Sequence, residues 1–358
     1  VKKSVIIFAV LLLSVVVTAQ RGGPSPEQQA ALAKQAELEK NTPQLQITEE
    51  VLNLVVPNHT IGEAVGVAKN SRGHLFVFTR SGASGPAKGS TASQLFEFDP
   101  NLKFVKMWGP DNYAASFAHT VRVDKDDNVW MTDEGSNMIV KFNPQGQVSM
   151  VLGRKPEAID YLEEHIERGE HTEERFPVGN PGTFNRPTDV TWDTQGNIFI
   201  ADGYNNSRVA KMTRDGRWVK AVGTRGAGPD QFNTVHAITS DAKGTIYVGD
   251  RGNRRIKVYD ADLNLQKMFT NVGAPWSMCM TPGPTQYLFS GDGNGKIYKL
   301  DLNGNLLGWA QTGLGHGQSG CLVHELHCES ENVIYKGDCS TWTVEKITIK
   351  GGGRPSAN

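Results

Sequence analysis

The chain has 358 residues and nearly balanced charge, 37 Lys and Arg against 38 Asp and Glu, for a formal net charge of −1. That balance, with no basic run to offset it, argues against nucleic-acid binding as a general function. Thirty-nine glycines and few helical periodicities suit many short strands joined by tight turns, and with the ends set aside about 300 residues remain, enough for one large all-β domain.

At the start, Lys2 and Lys3 precede an apolar run over residues 5–17, and Val17, Thr18 and Ala19 place small residues ahead of Gln20. The pattern predicts a signal peptide over residues 1–19 and therefore a secreted or periplasmic protein. An uncleaved anchor is the alternative, but the run is short for a spanning helix, and no stable membrane insertion is expected. Residues 20–46 are rich in Gln, Ala, Glu, Lys and Pro. A short solvated helix fits residues 26–40, but it has little apolar surface to bury, so the segment reads as a flexible linker.

The domain itself is expected over residues 47–350. Its first unit runs from Val65 through a turn at Gly73 into residues 74–79. The next reads His119-Thr-Val-Arg-Val-Asp-Lys-Asp-Asp-Asn-Val-Trp-Met-Thr-Asp133. Then come Thr188-Asp-Val-Thr-Trp-Asp-Thr-Gln-Gly-Asn-Ile-Phe-Ile-Ala-Asp202 and His236-Ala-Ile-Thr-Ser-Asp-Ala-Lys-Gly-Thr-Ile-Tyr-Val-Gly-Asp250. A fifth copy begins near Trp276 and ends at Asp292, and a sixth runs from His324 to Asp338. Each copy has an alternating strand, a polar turn, and a β-branched and aromatic strand. Third strands are expected over 138–142, 208–212 and 255–259. Six four-stranded units of this NHL type predict a six-bladed β-propeller, closed by a strand over 46–56; a degenerate unit hidden in 150–185 would make seven. Residues 154–182 break the pattern as a charged, acidic insert whose His165 and His171 read as solvated. The tail, residues 351–358, should be disordered.

All four cysteines fall late: Cys279, Cys321, Cys328 and Cys339. No CxxC occurs, so a cysteine zinc site is not expected. A hairpin around residues 329–332 would set Cys321 nearly opposite Cys339, as a bridge or as two buried thiols.

His119, His236 and His324 occupy one position in alternate copies, with Val65, Thr188 and Trp276 between them. In a six-unit ring this places three imidazoles about 120° apart on the hub axis, three of the four positions of a tetrahedral zinc site with the fourth open. Neutral imidazoles favour Zn2+, with iron or copper as alternatives. Arg80, Tyr204 and Arg251 end second strands near the same mouth, as functional groups or as surface residues. The unit-end aspartates read as turn residues that bond backbone amides.

Arg186-Pro-Thr-Asp-Val190, Ala201-Asp-Gly-Tyr-Asn-Asn-Ser-Arg-Val209, Asp230-Gln-Phe-Asn-Thr-Val-His236 and Asp250-Arg-Gly-Asn-Arg-Arg-Ile256 resemble the catalytic core of the peptidyl-α-hydroxyglycine α-amidating lyase family. The resemblance covers about residues 50–350 and implies a six-bladed propeller with zinc on His119, His236 and His324. It implies a catalytic Tyr204, a substrate-facing Arg80 and a second active-site arginine at Arg251. It further implies a channel calcium held by carbonyls at Ala64 and Val121 and by Glu325, where the family has aspartate. Other departures are Leu322 for methionine, Asn205 for a disulfide cysteine, and Tyr247 with Val258 at a second disulfide's positions. The implied substrate is a small peptide or N-acyl-α-hydroxyglycine, cleaved at its C–N bond to an amide and glyoxylate by a monomer. Two other readings stay open: a metal-dependent propeller lyase or hydrolase acting on another small substrate, and a non-catalytic NHL-propeller binding module.

Overall fold

The computed structural model describes residues 26–80, 93–155, 181–270, 272–313 and 320–350. The expected signal peptide, residues 156–180 of the acidic insert with His165 and His171, and the tail lie outside the described residues.

Six four-stranded antiparallel sheets follow one another around a ring. Blade one comprises Glu63–Lys69, Leu75–Arg80, Ser93–Phe98 and Phe104–Trp108; blade two Ala118–Val123, Val129–Asp133, Met138–Phe142 and Val148–Gly153. Blade three comprises Asp189–Trp192, Ile198–Asp202, Arg208–Met212 and Trp218–Val222; blade four Val235–Ser240, Ile246–Asp250, Arg255–Tyr259 and Leu265–Phe269. Blade five comprises Ser277–Met280, Leu288–Gly291, Lys296–Leu300 and Leu306–Gln311. Blade six takes Glu325–Cys328, Val333–Asp338 and Thr343–Lys350 from the end of the chain and Gln46–Val51 from its beginning. The chain is a six-bladed β-propeller.

Burial explains the pattern of residues. Second strands such as Val129–Asp133 and Ile198–Asp202 are buried throughout, so they carry β-branched and aromatic residues at successive positions. Outer strands such as Val148–Gly153 are largely exposed. The turn between the first two strands repeats one device. Asp124 Oδ1 accepts the amides of Asp126 and Asn128, both at 3.0 Å, and Asp193 and Asp241 do the same in blades three and four. The unit-end aspartates also bond amides, as expected: Asp133 accepts from Ser116, Phe117 and Ser136, and Asp202 from Asn185.

The ring closes where Gln46–Val51 pairs antiparallel with Thr343–Lys350, from Gln46 opposite Lys350 to Val51 opposite Glu345. The closing strand is shorter than the 46–56 expected. Residues 26–46 depart from the flexible linker of the sequence reading. The helix Pro26–Lys40 is held against blade five. Gln35 Oε1 accepts the Gly273 amide at 3.1 Å, and Glu39 takes Lys296 Nζ at 2.5 Å and the Tyr298 hydroxyl at 2.8 Å. The docking is polar, so an apolar stripe was the wrong signal to look for.

Among the described residues two disulfides occur, Cys279–Cys328 between blades five and six and Cys321–Cys339 across the two ends of the sixth unit. They suit an oxidising compartment. No helix among the described residues is long and apolar enough to cross a membrane.

Candidate metal centre

His119 and His236 lie on the first strands of blades two and four, and His324 immediately precedes that of blade six. Their exposures are 0%, 1% and 2%. The strand register shifts between Ala118 and Thr120 and between Val235 and Ala237, so each of the two strand histidines sits in a bulge. A bulge re-aims a side chain, here toward the hub axis. Val65 occupies the same kink in blade one, between Ala64 and Gly66.

The intervening units fix the rings. His119 Nδ1 donates to the Thr188 carbonyl at 2.6 Å, His236 Nδ1 to that of Trp276 at 2.5 Å, and His324 Nδ1 to that of Val65 at 2.7 Å. Carbonyls only accept, so each proton sits on Nδ1 and each Nε2 presents a lone pair. The ligand atoms of the three rings lie within 4.8 Å of one another, and His119 Nε2 is 3.2 Å from His236 Nε2. Two acceptors that close have no hydrogen bond to share. A cation between them resolves the contact, so the residues fit a metal ion. Electrostatics agree with the ligand state. Burial, then the charges of His324 and Arg80, pushes the His119 imidazolium well below its ordinary value. Burial and Arg251 do the same to His236, and burial and Arg80 bring His324 down to about 3.

Tyr204, Arg251 and Arg80 surround this cluster. The Tyr204 hydroxyl lies 3.0 Å from His236 Nε2, and Arg251 Nη1 donates to it at 3.4 Å. Arg251 also stacks on the Trp276 ring, 4.3 Å from its centroid. Arg80 is held by Glu63 at 2.5 Å and the Ala118 carbonyl at 3.1 Å, with its guanidinium 3.9 Å above the Phe117 ring. Burial raises the Tyr204 phenol; Arg251, Arg80 and Arg186 pull against that rise and Glu134 adds to it. Tyr204 owes its place to Gly203, where a Cβ would come within 1.5 Å of the Val235 carbonyl oxygen.

Three neighbours went unassigned in the sequence. Arg186 lies with its guanidinium carbon 4.5 Å from the Tyr204 ring centroid, Glu134 Oε2 is 3.9 Å from His119 Nε2, and the Trp276 ring sits 5.1 Å from that of His236. Trp276 had a signal in its place in the histidine register and Arg186 in the Arg186-Pro-Thr-Asp-Val190 motif; Glu134 had none.

The implied calcium set does not fit. Glu325 Oε1 accepts from Ser277 Oγ at 2.8 Å and the Leu326 amide at 2.9 Å and lies 3.0 Å from Arg122 Nη2, while Oε2 takes the Thr120 hydroxyl. Arg122 also forks onto both oxygens of Asp189, at 2.9 and 2.6 Å, and donates to the Leu326 and Met278 carbonyls at 3.2 and 3.3 Å. A guanidinium already supplies the channel's positive charge, and a divalent ion on Ala64, Val121 and Glu325 would sit against it.

A family model described as a 6-bladed beta-propeller matches residues 172–301. The mouse NHL repeat-containing protein 3 is 30% identical over 216 residues, 58% of this chain and 55% of that protein. A probable peptidyl-α-hydroxyglycine α-amidating lyase of Caenorhabditis elegans is 27% identical over 230 residues, 60% of each chain. Xenopus laevis peptidyl-glycine α-amidating monooxygenase B is 26% identical over 304 residues, 78% of this chain and 31% of that protein. The chain thus spans about half the length of the first of these relatives. Virginiamycin B lyase of Staphylococcus aureus has the same fold, with a TM-score of 0.54, 13% identity, and coverage of 85% of this chain and all of the other. By architecture the chain is a six-bladed β-propeller, and by sequence it is similar to NHL-repeat proteins and to amidating lyases.

Proposed function

We propose that this propeller is a zinc-dependent carbon–nitrogen lyase that cleaves peptidyl- or N-acyl-α-hydroxyglycine to an amide and glyoxylate. The observation that carries the reading is the convergence of three carbonyl-locked imidazoles on one point, with the Tyr204 hydroxyl 3.0 Å from His236 Nε2. Similarity to amidating lyases supports the substrate class. The three neutral nitrogens suit Zn2+, which when bound would polarise the substrate hydroxyl.

The substrate is R–CO–NH–CH(OH)–COO−. Arg80 binds its carboxylate by charge-assisted contacts, a task lysine performs poorly. Tyr204 takes the hydroxyl proton as phenolate, a form that Arg251 at its oxygen and a bound cation beside it would favour against the burial that raises it. The O–H electron pair becomes the new C=O bond, the C–N pair leaves with nitrogen, and nitrogen gains a proton. The products are R–CO–NH2 and glyoxylate. Export from the cytoplasm belongs to the same reading, supported by the two disulfides.

Tyr204→Phe should lower kcat for glyoxylate release by about 10²–10⁴-fold. Arg80→Ala should raise KM at least roughly tenfold, with little recovery in Arg80→Lys. Near-parental glyoxylate formation by both Tyr204→Phe and Arg80→Ala would count decisively against the mechanism.

A further inference from the structure

We infer that Glu134 is a positioning carboxylate of the metal centre, anchored by its own backbone, with its second oxygen placed to accept from the protonated group filling the open coordination position while Arg186 neutralises the first. The inference rests on reading the three histidines as a metal centre. It adds a fourth protein group to that centre.

Glu134 directly follows the second strand of blade two and its side chain is 2% exposed. Its backbone is fixed from two sides. Its amide donates to the Phe117 carbonyl at 3.0 Å, and next to it Gly135 packs so closely that a Cβ would lie 2.7 Å from Phe117 Cβ. The geometry of the ion pair is what points to the metal. Arg186 places both Nε, at 2.7 Å, and Nη2 on the same oxygen, Oε1. A fork normally engages both carboxylate oxygens, as Arg122 does with Asp189 in this molecule. Here the pair is offset, and Oε2 is left facing His119 Nε2 at 3.9 Å.

Arg186 is itself constrained. Its backbone sits in the left-handed region at φ 57°, its amide donates to Asn137 Oδ1 at 2.8 Å, and its carbonyl accepts from the Tyr204 amide at 3.4 Å. Such backbone persists where surroundings over-determine it, often at functional sites. One residue therefore holds Glu134 on one side of the centre and lies over the Tyr204 ring on the other.

The test is equilibrium titration of the metal-stripped protein with Co2+, following its visible absorption, which needs no turnover. Carboxylates that support a metal centre from outside its ligand set typically contribute 10–100-fold to affinity. Glu134→Gln should weaken Co2+ binding by about that factor and alter the spectrum, and Glu134→Asp should fall between. Arg186→Gln should keep or tighten binding, because it frees the carboxylate. A merely structural ion pair predicts the same change from either side. Equal effects of the same sign, or no effect of Glu134→Gln, overturn the proposal. If Glu134→Gln does not fold, Arg186→Gln decides alone: weaker Co2+ binding overturns the inference. A wild-type protein that binds no Co2+ removes the metal centre as well, whereas Co2+ binding without glyoxylate release removes only the lyase reading.

Discussion

The three imidazoles are neutral because they are buried among one another and beside two arginines, not because of the solution pH. His324 is brought down to about 3 and the other two well below their ordinary values. Protons therefore compete with the metal at lower pH than they would at exposed imidazoles. An exposed histidine set would begin to lose affinity below its usual value near 6.5. Zn2+ affinity is accordingly expected to stay flat between about pH 5 and 8. A fall of about tenfold per histidine per unit from pH 6.5 downward would show that the rings titrate normally. The histidines themselves were legible in the sequence because a repeat turns spacing into geometry: equivalent positions in alternate units must face one axis. The pairing of Arg186 with Glu134 was not, since it spans 52 residues across a blade boundary. Nor was the partner of each Nδ1, although the residues that supply the carbonyls, Val65, Thr188 and Trp276, stood in the same register.

At the scale of strands, repetition made the fold readable. The third strands expected over 138–142, 208–212 and 255–259 have those bounds. What strand patterns cannot show is the contact between first strands across the hub. Arg122 looks like an ordinary polar residue of an alternating strand, yet its guanidinium reaches Asp189 of blade three, the Met278 carbonyl of blade five and Glu325 of blade six. The arginine does the electrostatic work of a channel cation. Added Ca2+ or a Ca2+ chelator should therefore leave the melting temperature of the parent protein unchanged. Arg122→Met leaves two carboxylates uncompensated and should cost about 3–5 kcal/mol by chemical denaturation, and its melting temperature should rise with added Ca2+. A parent protein whose melting temperature climbs with Ca2+ would restore the calcium site.

For the whole molecule, closure of the ring joins the first and last strands of the described chain, and the joint is ionic as well as hydrogen-bonded. Lys336, fully buried, lies 3.2 Å from Glu49 of the closing strand, 2.5 Å from Glu345 and 3.4 Å from Asp338. Cys279–Cys328 ties the neighbouring blades together, a pairing that no spacing rule in the sequence singled out because its halves lie on different units. The helix over 26–40 was legible but its docking was not: it packs through Gln35 and Glu39, so hydropathy marked it as solvated. A rigid closed ring is what lets three imidazoles converge on one point while carbonyls of the three intervening units hold their Nδ1 atoms. The most direct test of that arrangement's purpose is glyoxylate release from α-hydroxyhippurate by the protein stripped with a chelator and then titrated with Zn2+. Glyoxylate formation that appears with Zn2+ and saturates near one ion per chain is the predicted result. Protein that binds one Zn2+ per chain yet releases no glyoxylate would contradict the lyase.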